Sequence, residues 1–112
     1  MSAITTHVLD TSRGRPAAGV RVELYLRSGH DWQPIGEAST DANGRCQNLV
    51  GEKRIETGTY RLLFHASEYY KTLHAETFYS EIPIIFEVRD PNAHYHVPLL
   101  LSPYGYSTYR GT

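Results

Sequence analysis

The sequence contains little cysteine, little excess charge and no long apolar run, and each shortage argues against a class of protein. Cys46 is the one cysteine among 112 residues, so no disulfide can form within the chain and the core must provide stability by packing. The formal net charge is -1, which leaves no basic field to attract nucleic-acid phosphates. Since no apolar segment approaches the ~20 residues that span a bilayer, we expect neither nucleic acid nor membrane as a partner.

Recognised targeting signals are also lacking. The first residues, Met1-Ser-Ala-Ile-Thr-Thr6, do not show the basic and then apolar segments of a secretory signal. The last residues do not form a peroxisomal address of the Ser-Lys-Leu type. These absences predict a cytoplasmic protein, with a peroxisomal location as the alternative in a eukaryotic cell.

Length and composition predict one folded domain over residues 1–112. Hydrophobic residues make up 40% of the chain and charged residues 21%, proportions that are ordinary for a folded protein. A chain of this size buries about 60–70% of its unfolded surface, which is enough for a single core. No linker, repeat or low-complexity stretch divides the chain, and its main compositional excess is nine tyrosines.

Alternation of apolar and polar side chains predicts short β-strands along most of the chain. From Val20 to Arg27 the apolar residues fall on one face and the polar residues on the other, as in a strand with one face toward water. A similar alternation runs from Thr5 to Leu9. About seven or eight strands separated by turns indicate an all-β, antiparallel sandwich. The further strand candidates are Trp32 to Ser39, Tyr60 to His65, Ile84 to Val88, Tyr95 to Leu101 and Tyr104 to Tyr109.

Turn-forming residues and one helical segment interrupt these strands. Residues 10–19 contain two glycines and a proline and are predicted to form a loop. Asn43-Gly44 is a dipeptide typical of a tight hairpin turn. The one predicted helix runs from Ser67 to Ala75, because Ser67 suits the N-cap position and neither glycine nor proline interrupts the segment.

The histidines of the predicted strands are the main candidates for chemistry. His94 and His96 lie two residues apart, so their side chains share one face of a strand at a spacing of roughly 6.5–7 Å. His7 lies on a strand face that also holds Thr5 and Leu9. Each histidine taken alone is most simply explained as a side chain on the wet face of a sheet. A pocket becomes the better explanation if His7 and His96 meet across strands beside a cation.

Two arginines could supply that cation. Arg45 follows the Asn43-Gly44 turn, where a hairpin can aim a long side chain, although by itself it is most simply explained as a solvated loop charge. Arg110 lies directly after Tyr109 near the end of the sequence. Imidazole can take a proton from water at neutral pH, and a guanidinium can hold a planar carbonyl–amide edge and stabilise an oxyanion. This combination suits hydrolysis of a polar, anionic heterocycle.

Two other chemistries compete with this hypothesis. His7, His94 and His96 could form a three-histidine zinc site with an open position, although neighbouring arginine charges disfavour a dication. Cys46 could act as an activated thiolate beside Arg45, but strand alternation places the two on opposite faces and favours a buried structural thiol. No serine lies in a Gly-x-Ser-x-Gly nucleophile motif.

Several motifs resemble those of the transthyretin-like family. They are Thr6-His-Val-Leu-Asp-Thr11 with Gly14-Arg-Pro16, then Asn43-Gly-Arg45, and then His94-Tyr-His-Val-Pro-Leu-Leu-Leu-Ser-Pro-Tyr-Gly-Tyr106. The closing Tyr109-Arg-Gly-Thr112 is similar to the Tyr-Arg-Gly-Ser tetrapeptide that marks the 5-hydroxyisourate hydrolase branch of the family. Threonine replaces the last serine and keeps its hydroxyl. The resemblance covers essentially the whole chain.

The resemblance implies a β-sandwich of two four-stranded sheets with one short helix. It also implies a homotetramer, assembled as a dimer of dimers, with sites in a central channel at the dimer–dimer interface. A partner copy would then cover the outer face of the sheet that carries His7 and His96. Neither a cofactor nor a metal is expected.

The activity implied by the resemblance is hydrolysis of 5-hydroxyisourate to 2-oxo-4-hydroxy-4-carboxy-5-ureidoimidazoline in urate degradation. On this expectation His7 and His96 position and deprotonate the attacking water, while Arg45 orients the substrate and supports the oxyanion. The last four residues of the chain close the pocket. The expected substrate-binding set is therefore His7, Arg45, His96, Tyr109, Arg110, Gly111 and Thr112.

The alternative within the family is a non-catalytic, transthyretin-type carrier of a small ligand. A carrier channel should be mostly apolar, whereas this channel would present imidazole and guanidinium groups. The resemblance also implies that the vertebrate carrier lacks the residues corresponding to His7, Arg45 and His96. These three positions therefore favour the hydrolase over the carrier.

Overall fold

The computed structural model describes residues 3–112, which form two packed β-sheets and one short helix. No helix within these residues is long and apolar enough to cross a membrane. The elements in chain order are β1 (Ile4–Asp10), β2 (Arg15–Pro16), β3 (Arg21–Ser28), β4 (Asp31–Ser39), β5 (Arg45–Cys46), β6 (Gly58–Phe64), α1 (Ala66–Thr72), β7 (Ile82–Val88), β8 (Tyr95–Ser102) and β9 (Gly105–Thr108).

The predicted β-sandwich is confirmed, and alternating burial explains how its sheets pack. In β3, Val22 and Leu24 are buried in the core, whereas Glu23 and Tyr25, which alternate with them, are only half-buried. The same two-residue period appears in β6. Because one face of β3 and of β6 is apolar, the second sheet buries that face against the first sheet and leaves its more polar face outside.

The first sheet has the strand order β2-β1-β8-β9, with β5 also paired to β1, and the second sheet has the order β4-β3-β6-β7. The first sheet therefore has five strands rather than the four implied by the resemblance. The additional strands β2 and β5 contain two residues each, and β2 lies inside the segment 10–19 that was predicted to be a loop. A strand of two residues is too short to show the alternation of apolar and polar side chains by which strands are predicted from sequence.

One strand pair departs from the predicted antiparallel sandwich. β1 and β8 run parallel, with Thr5 opposite His96 and His7 opposite Pro98. Parallel neighbours need a long connection, and here the chain passes through the whole second sheet between the two strands. The expectation of purely antiparallel pairing was wrong here, because alternation assigns the faces of a strand but not its direction.

The helix differs from its prediction at both ends. It covers Ala66–Thr72, and its N-cap is His65, whose side chain makes no capping hydrogen bond. The predicted cap, Ser67, lies inside the helix and its N–H donates to the carbonyl of Ser80 at 2.9 Å. The helix ends before Ala75 because His74 adopts a positive φ of 56°, which breaks the right-handed backbone.

Candidate active site

β1 carries His7 and β5 places Arg45 beside it. The two residues are directly opposite in the antiparallel β1–β5 ladder, and Thr6 and Cys46 form the neighbouring pair. Opposite residues in such a ladder extend from the same face of the sheet. Cys46 lies on the other face, where it is 2% exposed and burial raises its pKa to about 11. The predicted buried thiol is confirmed, and the activated-thiolate alternative is wrong.

A tight turn before β5 places Arg45 opposite His7 on β1. The Asp41 carboxylate accepts hydrogen bonds from the backbone N–H groups of Arg45 and Asn43 at 3.0 and 2.8 Å, and these bonds lower the pKa of Asp41. Gly44 has a φ of 77°, and a Cβ there would lie 2.4 Å from the carbonyl oxygen of Val8. The predicted hairpin was wrong in one respect, because β5 pairs with β1 in the other sheet and not with β4.

β8 and the residue just before it, His94, bring two imidazoles alongside β1. Oγ1 of Thr5 lies 2.8 Å from Nδ1 of His96 and 3.1 Å from Nε2 of His94. The two imidazole rings are nearly parallel and their centroids are 6.4 Å apart, as expected for side chains two residues apart on one strand face. The parallel β1–β8 register thus joins residues 91 positions apart in sequence.

The end of the described chain packs on the His96 ring. The N–H of Gly111 donates to the carbonyl of His96 at 2.8 Å. A Cβ at position 111 would lie 2.7 Å from Cδ2 of His96, so glycine alone fits here without moving the ring. Thr112 follows and lines the cavity in front of the imidazole.

These side chains surround a cavity of about 140 Å³. His7 lies next to the cavity lining, as the cross-strand partner of Arg45. The structure therefore brings three of the predicted residues, His7, Arg45 and His96, to one place on the first sheet. The cavity is lined by Thr5, Thr6, Arg45, Gln47, His94, His96 and Thr112.

Burial and neighbouring positive charges lower the pKa of His96. Burial is the larger cause, and repulsion from Arg45, His94 and His7 follows. The imidazole of His96 is therefore neutral at pH 7 and has a lone pair on one ring nitrogen. A neutral imidazole beside a guanidinium can accept a proton from water while the guanidinium binds a carbonyl oxygen that becomes negative.

The structure separates Tyr109 and Arg110 from this cavity. Both residues line a second cavity, of about 250 Å³, whose other walls come from β7, β8 and β9. The Arg110 guanidinium lies 4.5 Å from the centre of the Tyr95 ring and donates a 3.4 Å hydrogen bond to the carbonyl of His94. Of the four residues expected to close one pocket, Tyr109 and Arg110 line the second cavity, Thr112 lines the first, and Gly111 packs against the His96 ring.

Thr5 and Gln47 line the cavity although sequence reasoning proposed neither as a site residue. Thr5 lies two residues before His7, and Gln47 lies two residues after Arg45. Residues two apart on a strand share a face, so the alternation that grouped Thr5 with His7 could have identified Thr5. Gln47 follows the two-residue strand β5 and has no such signal in the sequence. No three His, Cys, Asp or Glu side chains within residues 3–112 are grouped so that they could hold a metal ion.

Comparison with known proteins identifies close relatives along the whole chain. A model of the HIUase/Transthyretin family matches residues 4–111. A probable 5-hydroxyisourate hydrolase from Caenorhabditis elegans is 45% identical over 111 residues, which cover 99% of this chain and 82% of the relative.

Two solved structures share the fold. Klebsiella pneumoniae 5-hydroxyisourate hydrolase superposes with a TM-score of 0.86 at 31% identity, and the match covers 97% of this chain and 98% of the hydrolase chain. Sea bream transthyretin in complex with thyroxine superposes with a TM-score of 0.91 at 28% identity, over 99% and 96% of the two chains. A hydrolase and a thyroxine-binding protein share this architecture, so the side chains of the site must distinguish the two functions.

Proposed function

The chain belongs to the HIUase/Transthyretin family, and on this premise we propose that it is a 5-hydroxyisourate hydrolase of urate degradation, active in the cytoplasm without a cofactor. The observation that carries this function is the composition of the 140 Å³ cavity. Its walls present two imidazoles and a guanidinium, where a carrier of an apolar ligand would need apolar walls.

In the proposed reaction His96 is the general base. Its lowered pKa keeps the imidazole neutral, so its free nitrogen can take a proton from a water molecule as the water oxygen attacks the ring amide carbonyl of the substrate. The C–N bond of that amide then breaks, and the departing nitrogen receives the proton that His96 took from the water. The ring opens to a carboxylate and a ureido group, which are the groups present in 2-oxo-4-hydroxy-4-carboxy-5-ureidoimidazoline.

Arg45 and His7 hold the reacting groups in this proposal. The planar guanidinium of Arg45 binds the carbonyl edge of the substrate with two parallel hydrogen bonds and stabilises the oxyanion of the tetrahedral intermediate. His7, opposite Arg45 on β1, positions the attacking water. Support for both roles comes from the β1–β5 register and from the electrostatic contact of both residues with His96.

The last four residues take different roles in the proposed site. Gly111 and Thr112 form the wall next to His96 and contact the substrate. Arg110 holds β8 from the other side, through the Tyr95 ring and the His94 carbonyl, and Tyr109 lines the same second cavity. Their contribution to substrate binding is therefore indirect.

We further propose that the active form is a homotetramer, assembled as a dimer of dimers. The rings of Phe78, Tyr79 and Tyr106 are exposed and pack edge to face, with neighbouring centroids 5.0 and 5.3 Å apart, and a contiguous exposed apolar patch of this kind marks a protein–protein contact. Covering the first sheet with a second copy would also remove water from the cavity. Light scattering at micromolar concentration should give the mass of four chains, and the mass of one chain would contradict the assembly.

The activity is tested by following the absorbance of freshly made 5-hydroxyisourate with and without the protein. Decay should be much faster with the protein, and equal activity in EDTA would show that no metal takes part. Arg45→Ala should lower kcat/KM by about 10²–10³, because an oxyanion then loses its charged donor. Arg15→Ala is the matched control, since Arg15 is an exposed arginine that also pairs with β1.

A transthyretin-type carrier is the second candidate, favoured by the TM-score of 0.91 to sea bream transthyretin. It predicts tight binding of thyroxine-like compounds and no acceleration of 5-hydroxyisourate decay. Calorimetry with such a compound, run beside the absorbance assay, separates the two functions. Binding without turnover would replace the hydrolase proposal.

A further inference from the structure

One buried hydroxyl lies between two imidazoles at the edge of the cavity. Thr5 is 4% exposed, and its Oγ1 is within hydrogen-bond distance of Nδ1 of His96 and of Nε2 of His94. The contact follows from the parallel register, which places Thr5 directly opposite His96. The proposed mechanism above assigns no role to this hydroxyl.

The direction of the hydrogen bond between Thr5 and His96 is tied to which nitrogen of His96 carries the proton. A threonine hydroxyl has one proton, so it can donate to one imidazole and accept from the other. If Thr5 accepts from Nδ1–H of His96 and donates to His94, the lone pair of His96 lies on Nε2. If Thr5 donates to His96 instead, Nε2 carries the proton and cannot act as a base.

The other side of the ring is also held. Gly111 packs against Cδ2 of His96, the carbon bonded to Nε2, and within residues 3–112 Thr5 is the one hydrogen-bond partner of the His96 ring. The ionisable groups that act electrostatically on His96 are Arg45 on β5, His7 on β1 and His94, the residue just before β8. Each of these favours a neutral imidazole, so the choice between its two tautomers falls to Thr5.

We propose that Thr5 is a positioning residue of the hydrolase: its hydroxyl accepts the Nδ1 proton of His96, donates to Nε2 of His94, and so holds His96 as the tautomer whose Nε2 takes a proton from water. The inference rests on the proposed function, in which His96 is the base. It adds a residue to the site and assigns His94 as the acceptor that orients the hydroxyl.

Thr5→Val and Thr5→Ser separate the hydroxyl from the shape of the side chain. Valine keeps the branched form that suits a strand and removes the hydrogen bonds, whereas serine keeps the hydroxyl. Thr108→Val is the control, because the Thr108 hydroxyl donates to β8 at the carbonyl of Pro98 and contacts no imidazole. A melting curve for each variant checks that it is folded.

Two measurements are made on each protein. Nitrogen-15 NMR of histidine-labelled protein distinguishes the two neutral tautomers of His96 without any substrate. It should show Nδ1–H in the wild type and in Thr5→Ser, and a larger share of Nε2–H in Thr5→Val. Thr5→Val should lower kcat by about 10-fold to 100-fold, the size seen when the hydrogen-bond partner that orients a metal-bound histidine is lost, with KM nearly unchanged. Thr5→Ser and Thr108→Val should stay close to the wild type.

The outcomes are distinct. Nε2–H on His96 in the wild-type protein would overturn the inference even if the enzyme is active, and this result needs no variant to fold. An unchanged tautomer and unchanged kcat in Thr5→Val would overturn it as well. If the hydroxyl controls the tautomer but no protein accelerates 5-hydroxyisourate decay, the placement of the proton stands and the hydrolase function fails.

Discussion

The two ends of β1 both bury polar side chains, but they do so in opposite ways. At the C-terminal end, Asp10 is 0% exposed, and its carboxylate oxygens accept hydrogen bonds from the hydroxyls of Tyr69, Tyr70 and Ser12 at 2.8, 3.3 and 2.6 Å. We call these four residues the Asp10 cluster. At the N-terminal end, Thr5 and the residues around it face a cavity.

The difference between the two ends is whether polar groups are satisfied within the chain. The Asp10 cluster ties α1 to β1, and burial raises the pKa of Tyr70 to about 12, with the charge of Asp10 as the next cause. Its donors and acceptors are used by one another, so it can stabilise the fold. The cavity end leaves a nitrogen of His96 and the guanidinium of Arg45 available to a ligand, which is what chemistry requires.

The largest expected effect is on activity alone. His96→Ala should lower kcat by about 10²–10⁴, because it removes the proposed general base. The free energy of unfolding should change by less than about 1 kcal/mol, since the side chain is only half-buried. The absorbance assay and urea unfolding measure the two quantities. His30→Ala, at an exposed position between β3 and β4, is the control. An equal loss of kcat in both variants would contradict the assignment of catalysis to the cavity end of β1.

The reverse pattern is expected at the other end of β1. Asp10→Asn places an NH₂ group among hydroxyl donors and should lower the free energy of unfolding by about 2–3 kcal/mol. Activity per folded molecule should be retained. Urea unfolding at fixed protein concentration, with kcat measured on the folded fraction, tests this. A large loss of kcat would show that the two ends are coupled.

The pH dependence of activity and of stability tests the role of His96 at the cavity end of β1. Because the pKa of His96 is lowered, kcat/KM should fall only below the ordinary imidazole value of about 6.5, by about tenfold per pH unit. The unfolded state binds this proton more readily than the folded state, so stability also falls as the pH drops below about 6.5. Rates and melting temperatures between pH 4.5 and 8, in the same buffers, measure both; a rate that already falls above 6.5 would contradict His96 as the base.

The smallest effect is expected from a single hydroxyl of the Asp10 cluster. Tyr69→Phe removes the 2.8 Å hydrogen bond to Asp10 and should lower the free energy of unfolding by about 1 kcal/mol. Tyr25→Phe is the control, because its hydroxyl bonds Glu23 on the outer side of the second sheet. If both variants unfold at the same urea concentration, the cluster contributes less than its geometry indicates.

Sequence patterns predicted the long strands well and the short ones poorly. The alternation from Val20 to Arg27 lies within one residue of β3, since a half-buried strand must alternate. β5 could not be found this way, because two residues carry no period, yet it is the strand that places Arg45 opposite His7. The helix start was misplaced since the packing of α1 on Asp10 outweighs the capping preference of Ser67.

The site itself was predictable in its residue types and less so in its geometry. His7, Arg45 and His96 were identified, but Thr5 acts on an imidazole 91 positions away, and such a partner becomes visible only when the strand pairing is known. Tyr109 and Arg110 line one cavity and Thr112 lines the other, and this separation depends on how the chain turns after β9. No local pattern encodes that turn.

The parallel pairing of β1 with β8 also has a kinetic consequence. Contacts between residues so far apart in sequence close a very large loop, and the entropy lost in closing it must be offset before those contacts stabilise anything. The antiparallel β3, β6 and β7 neighbours can assemble earlier, because their connections are shorter. Recovery of turnover after dilution from denaturant should therefore follow the slowest refolding phase, well after most of the strand signal in circular dichroism has returned.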